Sequence, residues 1–159
     1  SMLGSAGERW APIHAVVPHS RSTGMFNALQ ALFAAEKESM DRHGLVIGTL
    51  MSTVGAQATL IEPCIYWPDS HNAFHVRTVD AEHRSRIGCP GENPEARAAA
   101  DDLKRKIADT MRAGGAVNFQ IGKFYSYREG RDPVALALLD AIKAQLDPHG
   151  LMNPGVLGR

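Results

Sequence analysis

Two phenols and a guanidinium stand on one short stretch late in the chain, Gly122-Lys123-Phe124-Tyr125-Ser126-Tyr127-Arg128. Tyr125 and Tyr127 offer O–H donors and Arg128 a permanent cation. That combination can bind an anion or stabilise negative charge on an aromatic or reduced-cofactor ring. The same three side chains also suit an ordinary surface loop, in which Tyr and Arg lay their stems on the protein and keep their polar tips in water. A second group follows from strand alternation. With Ile61, Ile65 and Trp67 on one side of an extended segment, Glu62, Cys64 and Tyr66 lie on the other. In the same way His14 opposes Ile13 and Ala15, while Asn118 and Gln120 oppose Val117, Phe119 and Ile121. One sheet face then gathers His14, Glu62, Tyr66, Asn118 and Gln120. It is either a merely solvated surface or the roof of a substrate cavity.

Other chemistries find less support. His71, His75 and His83 form the densest histidine cluster. Asp69 to Asn72 reads as a turn and Phe74 to Val79 as a short strand, and four residues along a strand span roughly 13 Å, too far for two ligands of one ion. An exposed polar loop is expected there, with no metal site. Cys64 in an apolar strand reads as inert packing, and Cys89 in Gly88-Cys89-Pro90-Gly91 as a turn residue. Neither a Gly-x-Gly-x-x-Gly nor a Gly-x-x-x-x-Gly-Lys-Ser/Thr phosphate cradle occurs. The 17 Lys and Arg balance the 17 Asp and Glu, which gives no electrostatic footprint for nucleic acid or anionic lipid. No apolar run is long enough to span a bilayer. Two cysteines without a basic-then-apolar leader point to the cytoplasm, and Ser1-Met2 reads as a tag remnant.

These residues must be positioned by the elements of a chain of 159 residues that is 44% hydrophobic and 21% charged, enough for one globular domain. Pro12 to Pro18 reads as a strand. Ser20 or Ser22 then caps a helix carrying Met25, Phe26, Leu29, Leu32, Phe33 and Met40 at helical spacing, with Gly44 as its stop. Leu45 to Ser52 and Thr59 to Trp67 form an antiparallel pair, with Pro63 marking a bulge or an edge. A long excursion from Pro68 to Asn93 precedes a helix capped by Asn93-Pro94, whose buried stripe is Leu103, Ile107 and Met111. A fourth strand, Ala116 to Ile121, is followed by a helix capped by Asp132-Pro133, with Leu136, Leu139, Ile142 and Leu146 as its apolar positions. The order β-α-β-β-α-β plus a helix and tail predicts an α+β, ferredoxin-like split βαβ fold: a four-stranded antiparallel sheet with two helices on one face. Residues 1–8 are taken as a flexible start, 9–131 as the ferredoxin-like unit, and 132–159 as its C-terminal helix and tail.

The ending Leu139 to Gly158, with Asp147-Pro148-His149-Gly150-Leu151-Met152-Asn153-Pro154-Gly155, resembles the terminal signature of FAD-linked oxidases of the vanillyl-alcohol oxidase/p-cresol methylhydroxylase superfamily. The resemblance implies the C-terminal part of a cap, or substrate, domain. A separate domain would bind FAD, and this one would lie over the isoalloxazine. It makes Tyr125, Tyr127, Arg128, Glu62, Tyr66 and His14 the expected catalytic wall, with Asn153, Gln120 and Asn118 toward the cofactor. Members that oxidise D-2-hydroxy acids carry metal-binding histidines on the hairpin and after the last strand. Here Val54 to Thr59 and Phe119 to Lys123 lack them, so that metal mechanism is not expected, and the phenol-oxidising branch, which holds a phenolate with tyrosines and arginine, fits the Tyr/Arg loop better. The implied reaction is hydride transfer from a substrate C–H to flavin, with this chain alone inactive, unable to hold FAD tightly, and prone to self-association. The alternative is a stand-alone ferredoxin-like binding or dimerisation module without catalytic activity.

Overall fold

The computed structural model describes residues 3–118, 120 and 122–158. Arg9–Pro12 (β1) and Ala15–Pro18 (β2) lie end to end along one side of Ala58–Trp67 (β4), and Val46–Val54 (β3) runs along the other, every pair antiparallel. The expected first strand therefore begins three residues earlier and is interrupted at Ile13 and His14. The cause lies across the ladder. The Ile13 N–H donates to the Pro63 carbonyl at 2.9 Å, and Pro63 has no N–H with which to return the bond. The proline leaves its own pairing with Thr49 intact and breaks the neighbouring strand instead.

His19–Ala35 (α1) and Lys37–His43 (α2) replace the single helix expected up to Gly44, which closes α2 at φ 66°. Ser22 does not cap; its hydroxyl donates to the His19 carbonyl. Pro94–Ala113 (α5) is the helix expected, started by the Asn93 side chain accepting from the Ala96 N–H. Its Ala96, Ala100, Leu103, Ile107 and Met111 recur at three- and four-residue steps and are buried, with Met25 and Leu29 of α1, against Ile13, Ala15, Val17, Ile61 and Ile65 of the sheet. Each large aliphatic chain so buried contributes about 1.5–3 kcal/mol. Gly114 permits the close approach of α5 to α1, since a Cβ there would stand 2.3 Å from Met25 Cε.

Three expectations need correction. The strand expected over 74–79 is helical: Ala73–Thr78 (α3) is followed by Ala81–Ile87 (α4). Asn72 and His75 cap α3 reciprocally, and Asp80 caps α4. Among the described residues the fourth strand is represented by one bridge, where Val16 and Val117 exchange backbone hydrogen bonds of 2.8 and 3.0 Å; Phe119 and Ile121 lie outside the described residues. Finally, Pro133–Leu146 (α6) begins at the expected Asp132 cap but buries none of its residues. Val134, Leu138, Ile142 and Leu146 face outward, and Leu136 and Leu139 are only half-buried. Of the leading segment, Leu3 and Gly7 are buried.

The result is an α+β fold with an antiparallel four-stranded sheet, α1 and α5 covering one face, and a C-terminal helix. Among the described residues no helix is long and apolar enough to cross a membrane.

Candidate functional site

His14 is the polar residue most deeply placed in the sheet, 2% exposed at the break between β1 and β2. Its backbone is satisfied by side chains. The His14 N–H donates to the Tyr125 hydroxyl at 3.0 Å, and Asn118 Nδ2 donates to the His14 carbonyl at 2.6 Å. The Tyr125 hydroxyl also lies 3.0 Å from His14 Nδ1, with the rings edge to face at 4.8 Å. Burial lowers the His14 pKa against a smaller opposing pull from Glu62, and burial raises that of Tyr125. Both groups are therefore neutral at neutral pH. The phenol then donates to Nδ1 while accepting from the backbone, which places the imidazole proton on Nε2.

Tyr125 thus joins the loop after the fourth-strand position to the first strand, and its phenol is engaged there. Tyr125→Phe is expected to cost about 1–3 kcal/mol by leaving the buried His14 N–H unsatisfied; urea unfolding measures it. Proton NMR of His14 is expected to show titration below about 6.5, the value of an unperturbed histidine. Because the unfolded chain binds that proton more readily, stability falls as pH drops through this range.

The other polar residues of the loop make contacts of their own. Arg128 makes a two-pronged ion pair with Asp140 of α6 at 3.0 and 2.8 Å, so the guanidinium fastens the loop to the helix. Tyr127 lies under the Arg131 guanidinium at 4.8 Å, and Arg131 also donates to the Tyr127 and Asn118 carbonyls. Tyr125, Tyr127, Asn118 and Gln120 instead line a cavity of about 400 Å³ against Arg105 and Arg112 of α5. Asn118 is not on the uncovered face as expected. The Val16–Val117 bridge sets Val117 on the Val16 side of the sheet, opposite the buried Ala15 and Val17, and half-exposed, which is the reverse of the expected alternation.

Glu62 and Tyr66 do share the uncovered face, and their neighbours there are largely apolar. Trp10, Tyr66 and Val46 form one row across three strands, with Trp10 and Tyr66 stacked at 6.4 Å. Leu50 faces Glu62 in the next rows. Burial, then Cys64, Glu8 and Glu62, raises the Tyr66 pKa, so it too is a neutral phenol. The Cys64 thiol is pushed up by burial and by Glu62, away from the thiolate a nucleophile needs. Trp10 lies outside a first strand that begins at Pro12; extending the alternation by two residues brings it onto this face. His71, just before α3, and His75, in its first turn, approach to 6.0 Å between ring centroids, where a continuous strand would hold them farther apart. Among the described residues no group of three His, Cys, Asp or Glu could hold a metal ion.

In the tail, Asp147 accepts from the Leu151 and Met152 N–H groups at 2.9 and 3.0 Å and pairs with Lys143. These bonds hold its carboxyl below the usual carboxylate range. Asn153 turns the chain at φ 49°, and its carbonyl accepts from the Val156 N–H. Gly155 and Gly158 then bring the tail against Lys123 and Arg128, where a Cβ on Gly158 would stand 3.0 Å from Arg128 Cδ. Asn153 and the Tyr/Arg loop therefore occupy one end of the domain.

Compared with known families, residues 14–157 match the model described as FAD linked oxidases, C-terminal domain. No curated protein and no solved structure matches the chain.

Proposed function

Because the chain belongs to the C-terminal domain family of FAD linked oxidases, we propose that it forms the substrate-side wall of a flavoenzyme whose FAD is held by a preceding domain. The observation that carries this reading is the uncovered sheet face, with the Trp10–Tyr66–Val46 row and the Glu62 carboxylate beside it. Such a face suits covering a flat ring system and stacking an aromatic substrate. It does not suit gripping a pyrophosphate, since none of the strand residues facing this way is cationic or part of a glycine-rich cradle.

The proposed substrate is phenolic. Its ring packs on Trp10 and Tyr66, and Glu62, the only charged residue of β4, takes the phenol proton as negative charge develops. Tyr66, neutral, donates a hydrogen bond to the oxygen. When bound, the flavin supplies the hydride acceptor. His14, Asn118 and Tyr125 fix the first strand and the loop beneath this surface. Asn153 and Gln120 remain the candidates for contact with the cofactor-binding domain. We place the protein in the cytoplasm and take the isolated chain to be inactive, free of FAD and self-associating.

The test uses the chain joined to its flavin-binding domain. Under anaerobic conditions phenols, and not D-2-hydroxy acids, are expected to bleach the flavin. Glu62→Gln is expected to slow bleaching about 10²–10⁴-fold, the usual range for loss of a general base. Retention of flavin by the isolated chain after gel filtration, or bleaching by hydroxy acids alone, would overturn the proposal.

A further inference from the structure

β3 is the outermost strand of its side of the sheet. It pairs with β4 alone, and among the described residues no backbone hydrogen bond reaches its other edge. A free edge is a template for another strand, and proteins ordinarily blunt it with charge, proline, a bulge or short length. β3 has none of these. Its nine residues, Val46-Ile-Gly-Thr-Leu-Met-Ser-Thr-Val54, carry no charge and no proline, pair with β4 without a bulge, and are exposed everywhere except at Ile47.

The sequence also says what fits. Turned about a two-fold axis at Leu50, the strand meets itself in matching order: Val46 faces Val54, Gly48 faces Ser52, and Leu50 faces its own copy. On the opposite side of the sheet Ile47 meets Thr53 and Thr49 meets Met51. No charge opposes any other, and neither strand overhangs its partner. We propose that β3 is the seam of a two-fold dimer in which a second copy of this chain continues the sheet by antiparallel edge pairing. The two-fold axis stands perpendicular to the sheet, so both uncovered faces point the same way and both remain open. The inference rests on the self-association proposed above and names its surface and register.

Sedimentation of the wild-type chain against Leu50→Lys and Leu50→Glu tests it. Leu50 is half-exposed, and circular dichroism confirms that each variant folds. Each variant alone is expected to associate about 100-fold more weakly, because two like charges meet at the axis. Mixing the two is expected to restore the dimer as a Lys/Glu heterodimer, which happens only if position 50 faces position 50. A wild-type chain that stays monomeric overturns both the seam and self-association. Dimers that persist in both single variants, and dissolve instead in Leu138→Asp, leave self-association standing and overturn the seam. Failure of the mixture to re-form a dimer overturns the register.

Discussion

Asp69→Ala is expected to remove about 3–5 kcal/mol of stability, a large part of what a domain of this size possesses. Asp69 is 0% exposed. Arg97 grips it with two bonds of 2.7 and 2.8 Å, Arg9 lies 3.4 Å away, and the N–H groups of Ser70 and Asn93 donate at 2.8 and 3.1 Å. One carboxylate therefore ties the first strand, the exit of β4 and the N-terminus of α5 together, closing both ends of the excursion from Pro68 to Asn93. Its removal leaves the largely buried Arg9 without its carboxylate, strips the partly exposed Arg97 of its main partner, and leaves two backbone donors unsatisfied. Asp69→Asn keeps the shape and loses the charge, so a smaller loss is expected, and urea unfolding ranks the three proteins.

The same carboxylate sets an acid limit. Arg97 above all, then the Asn93 and Ser70 N–H groups and Arg9, hold it far below the usual carboxylate range against the opposing effect of burial. A depressed folded-state pKa means that the stabilisation is complete above the unfolded value of about 3.9 and is lost as pH falls beneath it. Wild-type stability is expected to drop steeply between about pH 4 and 2. In Asp69→Asn that part of the slope disappears. If the two proteins lose stability in parallel, Asp69 is not the group responsible.

What the sequence revealed and what it concealed divide along the range of the interactions. The β3–β4 pair and the buried stripe of α5 are legible because alternation and helical spacing are local patterns, and Asn93-Pro94 and Asp132-Pro133 announce their helices by cap chemistry alone. The segment from Phe74 to Val79 misleads because its β-branched and aromatic residues favour a strand, while the Asn72/His75 and Asp80 caps draw it into helices. Pro63 announces a disruption, but which strand it breaks depends on which neighbour needs its N–H. The Tyr/Arg loop is where residue type says least. Tyr125 finds its partner 111 residues away at His14, and Arg128 finds Asp140 on a helix it was not expected to touch. Those partners lie too far off in the sequence for residue type alone to announce them, and they tie the loop to the first strand and to α6. The uncovered face is more apolar than Glu62, Tyr66 and His14 alone suggest, because Trp10, Val46 and Leu50 join it by register.

Leu138→Asp together with Leu146→Asp is expected to leave the isolated domain folded yet weaken its union with the flavin-binding domain at least about 100-fold. α6 is turned opposite to an ordinary surface helix. Its polar residues Asp140 and Lys143 face this domain, bonded to Arg128 and to Asp147 with the Met152 carbonyl. Its apolar Val134, Leu138, Ile142 and Leu146 point away at four-residue steps, and Leu151 and Met152 prolong the stripe. A continuous row of this kind marks a contact surface, and the uncovered sheet face proposed to lie over the flavin would give the same neighbour a second footing. Burying a leucine is worth about 1.5–3 kcal/mol, so losing two weakens docking by roughly 10²–10⁴-fold before any cost of burying the new carboxylates. Neither leucine is buried within this domain, so its unfolding free energy should move by no more than about 0.5 kcal/mol. Titrating the separately expressed flavin-binding domain with wild-type and doubly substituted chains, and following flavin fluorescence, reads both halves of the expectation. Unchanged docking would assign the stripe to some other partner and leave the sheet face as the sole contact with the flavin-binding domain.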